Sequence, residues 1–233
     1  MLKSIVATLL ILGSAALVRA DAKDEVQAAA AKLADSPNYS WTTNMESGQF
    51  SSSSSGKTQK DGLTSLALTF RDNTTQAVLK GAKAVIKTDD GWKTADEVVQ
   101  QQQGGQPNPI LFIARAVQNF KAPAKQAAEY AADAPDLQKT DDGYSGHLTD
   151  EAATKLMTLR RGNATTQPSV KNAKASVKFW VTDGMLTKMQ YEVSGTVTFN
   201  DQDRDIDRTT TIEIKDVGST QIDAPDEAKA KLQ

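Results

Sequence analysis

The side chains that could do chemistry are few, and each lacks the neighbours it would need. His147 is the only histidine and there is no cysteine. A general base or a metal ligand needs a second polar group within hydrogen-bond reach, and His147 sits in the segment YSGHL with no paired acidic residue beside it. Ser54-Ser55-Gly56-Lys57 has the S-x-x-K spacing of a serine nucleophile and its lysine, but a run of serines satisfies that spacing trivially and no companion motif follows. No G-x-S-x-G, H-E-x-x-H or glycine-rich phosphate loop occurs. Asp201, Asp203, Asp205 and Asp207 alternate like the start of a calcium loop. That loop needs Gly at its sixth and Glu at its twelfth position, where this chain has Ile206 and Ile212. On a strand the four carboxylates line one side and Arg204 and Arg208 the other, a charged hairpin tip that discourages edge-to-edge association. The expectation is a protein that is not an enzyme, with no catalytic or metal-binding residues and no cofactor.

What remains is shape. Residues 1–20, MLKSIVATLLILGSAALVRA, carry one early lysine, an apolar run from Ile5 to Leu12 and small residues before Ala20. This is the layout of a secretory signal peptide, too short in its apolar part to span a bilayer. The expectation is an exported chain, periplasmic or secreted, folded as one domain over 21–233 with no membrane span after cleavage. Without cysteine it has no disulfide framework and no lipidated cysteine, so its core alone must stabilise it. Formal charge is −2, from 27 Lys and Arg against 29 Asp and Glu, and becomes −4 once Lys3 and Arg19 leave with the signal. Such a surface is unsuited to nucleic acid.

Residues 23–34 predict an alanine-rich helix stopped at Ser36-Pro37. Period-2 alternation over 39–45, 50–60, 64–70, 76–81 and 82–88, with turn signals between, predicts an antiparallel meander in which the serine run is itself a strand. Tyr39, Trp41 and Met45 share one side, as do Leu66, Leu68 and Phe70. Thr94 and Glu97 have capping-box spacing, and a helix follows until QQQGGQ. Asn108-Pro109 opens a helix to about Phe120 whose wide apolar face holds Ile110, Phe112, Ile113, Ala116, Val117 and Phe120. Further helices are predicted from Pro123 to Ala132 and from Thr149 to Leu159, around a hairpin of 137–140 with 144–148.

The C-terminal third predicts three long strands, 172–182, 185–200 and 204–216. From Ala173 to Phe199 the apolar residues fall at odd positions, with mostly Lys, Ser, Thr, Gln and Glu between them, giving one buried and one wet face. For odd to meet odd across the first turn the loop must hold three residues, Thr182-Asp183-Gly184, pairing Val181 with Met185 and Val177 with Met189. The next hairpin needs an even loop, such as Gln202-Asp203, because Ile206, Ile212 and Ile214 are even. Trp180 falls on the wet face, where a cross-strand pair with Leu186 accounts for it. A long sheet wet on one side must cover the other, and the central helices are the available cover. The fold class is therefore α+β, a strongly curved antiparallel sheet, or half-open β-barrel, with helices over its concave face.

VIKTDDGWKTADE (strand, turn, tryptophan, helix start), DGYSGHLTDEAATKLM (hairpin into helix), VKFWVTDGMLTKMQYEVSGTVTF and TTTIEIKDVGSTQIDAPDEAKA come in an order that resembles the periplasmic lipoprotein-carrier superfamily. That superfamily includes the outer-membrane lipoprotein sorting proteins and the mycobacterial lipid-carrying lipoproteins. The resemblance covers about Tyr39 to Leu232 and implies non-covalent carriage of acyl chains between sheet and helices. The sorting carriers hold their lid through an arginine on an early strand; this chain has none between Arg19 and Arg71, so that role is not carried over. The expected function is binding or carriage of a hydrophobic ligand, acyl lipid or lipoprotein. The expected lining is Leu66, Leu68, Phe70, Val177, Phe179, Met189, Tyr191 and Val193 from the sheet and Ile110, Phe112 and Ile113 from the helical lid. The alternative is a ligand-free module or sensor on the same scaffold, with an envelope protein as its partner.

Overall fold

The computed structural model describes residues 21–70, 73–101, 109–158, 169–199 and 201–233, with only the backbone for residues 70 and 199. The leader, the QQQGGQ break after Gln101 and the end of the helix predicted to Leu159 lie outside the described residues. In chain order the elements are α1 (Ala22–Ala34), β1 (Asn38–Ser47), β2 (Phe50–Gln59), β3 (Thr64–Phe70), β4 (Asn73–Lys80), β5 (Lys83–Thr88), β6 (Gly91–Thr94), α2 (Ala95–Gln101), α3 (Pro109–Gln118), α4 (Pro123–Ala132), β7 (Gln138–Thr140), β8 (Gly143–His147), α5 (Asp150–Thr158), β9 (Ser169–Thr182), β10 (Met185–Phe199), β11 (Gln202–Lys215) and α6 (Asp226–Lys231).

The strands form one antiparallel sheet of order β6-β5-β4-β3-β2-β1-β11-β10-β9-β8-β7. The chain starts at the centre with β1, walks out to the edge β6, crosses through helices to the opposite edge β7 and walks back to lay β11 against β1. The sheet is not closed into a barrel, because β6 and β7 remain separate edges. Laid flat, eleven strands would span roughly 50 Å at about 4.8 Å each. Yet residues from β4–β5 (Leu79, Ile86), from β8 (Tyr144) and from α1 to α5 belong to one continuous buried cluster. The sheet must therefore curl around its helices, as expected for a half-open barrel.

The long hairpins keep the predicted parity by a different device. Thr182 pairs with Met185, so the β9–β10 turn holds only Asp183 and Gly184. Both have positive φ, 52° and 69°, the backbone of a type I′ turn. Parity is restored just beyond, where Thr187 is an extra residue on β10: Leu186 faces Val181, and Lys188 faces Trp180. Phe179 then pairs with Met189, and Val177 with Tyr191 rather than with Met189. The bulge also puts Leu186 on the buried face, 1 % exposed, so it is not the partner of Trp180. In the β10–β11 hairpin Phe199 pairs with Gln202 and Thr198 with Asp203, so Gln202 and Asp203 belong to β11 and not to the loop. Met189 thus faces Ile212, and Val193 faces Arg208.

The helices start where the capping residues predict. Thr94 N–H donates to Glu97 Oε2 at 2.7 Å, and Glu97 N–H to Thr94 Oγ1 at 3.1 Å. Pro123 is the first residue of α4, and Thr149 Oγ1 accepts the Ala152 N–H at 3.3 Å ahead of α5. Helices α1 and α5 pack on β9 and β10, α2 and α3 on β4–β6, and α4 on α1. The sequence reading did not anticipate α6. Its Ala228, with Ala224 and Leu232, forms a second small core with Val78, Val85 and Trp92. At β4–β6 both faces of the sheet are therefore covered, which the consecutive apolar residues Ala77-Val78-Leu79 encode.

Candidate ligand-binding face

The concave face divides into a closed floor and a more open shelf. On the floor, Leu66, Val177, Phe179, Met189 and Val193 are each at most 5 % exposed, beside Ile86 and Ile212. Tyr39 and Trp41 lie among them with ring centroids 5.7 Å apart, and Phe120, just after α3, stacks on Trp41 at 5.8 Å and 16°. The indole has room because its partner on β2 is Gly56. A Cβ at that position would fall 2.1 Å from the ring. The aromatic stack thus joins the middle of the sheet to the end of α3.

Burial declines along the same strands toward the β1–β2 hairpin. Thr43, Met45, Ser52, Ser54, Leu68 and Thr75 alternate in phase with Trp41, Gly56 and Leu66 and are only half-buried. Met45 faces Ser52, Thr43 faces Ser54, and Ser54 faces Leu68. Small hydroxyls between larger apolar groups make this stretch shallow. The described helices pack mainly on β4–β6 and β7–β10, so they flank the shelf instead of lying along it.

The remaining expected lining residues take different positions. Tyr191, Ile110 and Ile113 are half-buried and pack, like Leu68, against the main core. Phe112 is 56 % exposed, and Ala116, one turn later, is also exposed. The buried edge of α3 runs through Ala114 and Val117, so its apolar residues do not form the single sheet-facing surface predicted. The side chain of Phe70 lies outside the described residues.

Polar groups enter the concave face at a few points. Tyr130 from α4 meets Tyr191 edge-on at 5.2 Å, and Gln126 Nε2 donates to the Tyr130 hydroxyl at 3.1 Å. Burial pushes both the Tyr130 and Tyr39 phenols up, Tyr39 to about 12, so both stay neutral and serve as hydrogen-bonding groups rather than bases. Arg208 reaches across from β11, and its guanidinium donates to the Leu156 carbonyl in the last turn of α5 at 2.9 Å. Beside it Gly195 lets α5 approach, since a Cβ there would lie 2.9 Å from Met157 Sδ.

The opposite face is polar. Thr42, Asn44, Ser53, Ser55, Thr69, Glu213 and Lys215 line a surface hollow of about 400 Å³. His147 does have an acidic partner, eleven residues earlier: Asp136 Oδ1 accepts the His147 N–H at 2.6 Å, and Asp136 Oδ2 lies 2.7 Å from its Nδ1. These bonds hold the Asp136 carboxyl below the usual range. Asp136-Leu137 precedes β7, and only the pairing of β7 with β8 brings it to His147, so spacing along the chain could not show the contact. Trp180 lies between Lys178 and Lys188, whose ammonium groups are 5.0 and 4.6 Å from its ring centroid. Among the described residues no group of three or more His, Cys, Asp or Glu is placed to hold a metal ion. Asp203 and Asp205 are instead engaged by Thr198 and Thr196 on β10.

No protein-family model matches the chain, and no curated protein matches it. Among solved structures it is similar to LprF from Mycobacterium bovis, at 10 % identity and TM-score 0.43, covering 89 % of this chain and 97 % of that one. It is also similar to a LolA superfamily protein from Nitrosomonas europaea, at 9 % identity and TM-score 0.35, covering 90 % and 97 %. A third likeness is to the MucA/MucB complex structure from Pseudomonas aeruginosa, at 12 % identity and TM-score 0.30, covering 85 % and 95 %. At these scores the likenesses say nothing of ligand or partner. Among the described residues no helix is long and apolar enough to cross a membrane.

Proposed function

We propose that this protein is an exported binder or carrier of a hydrophobic ligand, an acyl lipid or the acyl chains of a lipoprotein, held over the concave face of the sheet. The observation that carries the proposal is the burial gradient on that face. The floor is closed by α1, α4, α5 and the Trp41–Phe120 stack, whereas Thr43, Met45, Ser52, Ser54 and Leu68 stay half-buried on the same apolar side. An acyl chain laid on this shelf gains about 0.8 kcal/mol per methylene removed from water. Met45 can adapt to chains of different shape. Leu66, Val177, Phe179, Met189 and Val193 would form the base beneath the ligand, with Leu68 and Tyr191 touching it. Phe70, Ile110, Phe112 and Ile113 would contribute from the strand end and from α3.

Native mass spectrometry and lipid extraction of the purified protein test this. Co-purifying acyl lipid that is lost in Phe112→Asp and Tyr191→Glu variants supports carriage. A protein that stays free of lipid, and takes up none from vesicles, refutes it. That refuting result would favour the ligand-free interaction module, for which Trp180 between its two lysines is the surface to mutate.

A further inference from the structure

We infer that the ligand is an anionic amphiphile whose carboxylate or phosphate headgroup pairs with Arg208; this rests on the ligand-binding reading above. Arg208 is half-buried on the apolar side of β11, directly opposite Val193 and two residues from Thr210, which faces both Met45 and Tyr191. Among the described residues its guanidinium donates to a neutral acceptor, the Leu156 carbonyl. Among the described residues no carboxylate forms an ion pair with it. The carboxylates closest in sequence, Asp205 and Asp207, alternate to the other side of β11. A guanidinium has five donors in a planar fork matched to carboxylate and phosphate, and a half-buried charge without a counter-charge is costly. A phenol, Tyr191, and a hydroxyl, Thr210, adjoin it on the same side of the sheet and can share an oxyanion. The half-buried Met45, Ser52, Ser54 and Leu68 run on from Thr210 across β1, β2 and β3. That places an anion-binding group at one end of a shallow shelf where small hydroxyls separate Met45 and Leu68, an arrangement that suits a headgroup and its chain.

The test uses the purified chain and displacement of a neutral apolar dye, N-phenyl-1-naphthylamine, by dodecanoic acid, dodecyl phosphate and methyl dodecanoate below their micelle concentrations. Either anion should displace the dye on the order of tenfold to a hundredfold better than the ester, the worth of a charge-assisted hydrogen bond. Arg208→Gln should abolish that preference, lowering the affinity for both anions to about that for the ester, and Arg208→Lys should keep part of it. Dodecanoic acid outperforming the phosphate identifies a carboxylate headgroup, and the reverse order a phosphate one. Equal displacement by acid, phosphate and ester in the wild-type protein overturns the inference but leaves hydrophobic ligand binding standing. Failure of all three to displace bound dye, or of the dye to bind, removes the ligand-binding reading itself. Should Arg208→Gln fail to fold, the ester-to-anion ratio of the wild-type protein and of Arg208→Lys still decides.

Discussion

Replacing Gly56 by alanine tests whether the aromatic stack is a fixed part of the architecture. The added methyl would lie 2.1, 2.5 and 2.6 Å from Cζ2, Cε2 and Cη2 of Trp41. Carbon atoms rest at about 3.5 Å or more, so the indole must retreat by about 1.4 Å from its nearest point. It has little freedom to do so, being 4 % exposed, flanked by Tyr39 and stacked on Phe120. Overpacking of this kind costs about 1–3 kcal/mol, outweighing the small gain in strand propensity from glycine to alanine. In a domain of this size about 2 kcal/mol lowers Tm by roughly 4–8 °C. Urea unfolding should show a lower midpoint with unchanged slope, the sign of lost stability without a change in surface exposed. Trp41→Leu alone should also destabilise, but adding Gly56→Ala to it should cost almost nothing further, a coupling that a double-mutant cycle isolates. An unaltered midpoint in Gly56→Ala, or full additivity with Trp41→Leu, would refute the reasoning.

Thr94→Ala removes one half of the capping box on α2 and should lower stability by about 1 kcal/mol in thermal or urea unfolding. Gly184→Ala places a side chain at φ 69° in the two-residue turn and should cost about 1–2 kcal/mol, whereas Thr182→Ala should cost no more than about 0.5 kcal/mol because Thr182 is an exposed residue at the strand end, outside the turn. Acid should destabilise the protein. The carboxyls of Asp136, Asp142, Asp90 and Glu151 are lowered chiefly by hydrogen bonds from His147, Lys178, Lys93 and Lys155. Depressed values mean that their stabilisation is complete above the unfolded carboxylate range near pH 4 and is lost as pH falls through the lower folded values. Tm measured downward from pH 5 should fall in that window. All four carboxyls are exposed, so 1 M salt should shrink the lysine-paired part of the effect.

The concave-face residues were legible in the sequence because alternation depends only on nearest neighbours, and a strand with one wet side cannot hide its period. Phe179, Met189 and Val193 were assigned to the buried side on parity alone, and they are there. Register was less legible. Several combinations of turn and bulge preserve the same parity: the three-residue loop and the two-residue turn plus Thr187 bulge keep the same faces but differ by two residues in register, Val177 meeting Met189 in the first and Tyr191 in the second. The Asp-Gly pair carried that information: two consecutive positive φ values suit an Asp-Gly turn, and the bulge is what the turn then requires. Contacts between distant elements left no local trace. Asp136 reaches His147 only after β7 and β8 pair, and α6 is fixed by Val78 and Trp92 on strands more than a hundred residues earlier.

Arg208 shows how an apolar period can conceal a polar site. Between Ile206 and Ile212 the buried-side positions of β11 are Arg208 and Thr210. By composition, with Asp201 to Asp207 beside it, the arginine reads as one more charge on a solvated tip. Pairing changes that reading, because Val193 opposite it and Leu156 above it bring its guanidinium to the inner side of the sheet. The same arginine that steadies the last turn of α5 is thus placed to meet a headgroup. An anion that turns the guanidinium toward the shelf weakens its bond to the Leu156 carbonyl, so loading with an anionic ligand and loosening of the end of α5 should occur together. Hydrogen exchange of the α5 amides with and without dodecanoic acid checks this: faster exchange on loading is the expected outcome, and slower exchange would show that Arg208 serves both acceptors at once.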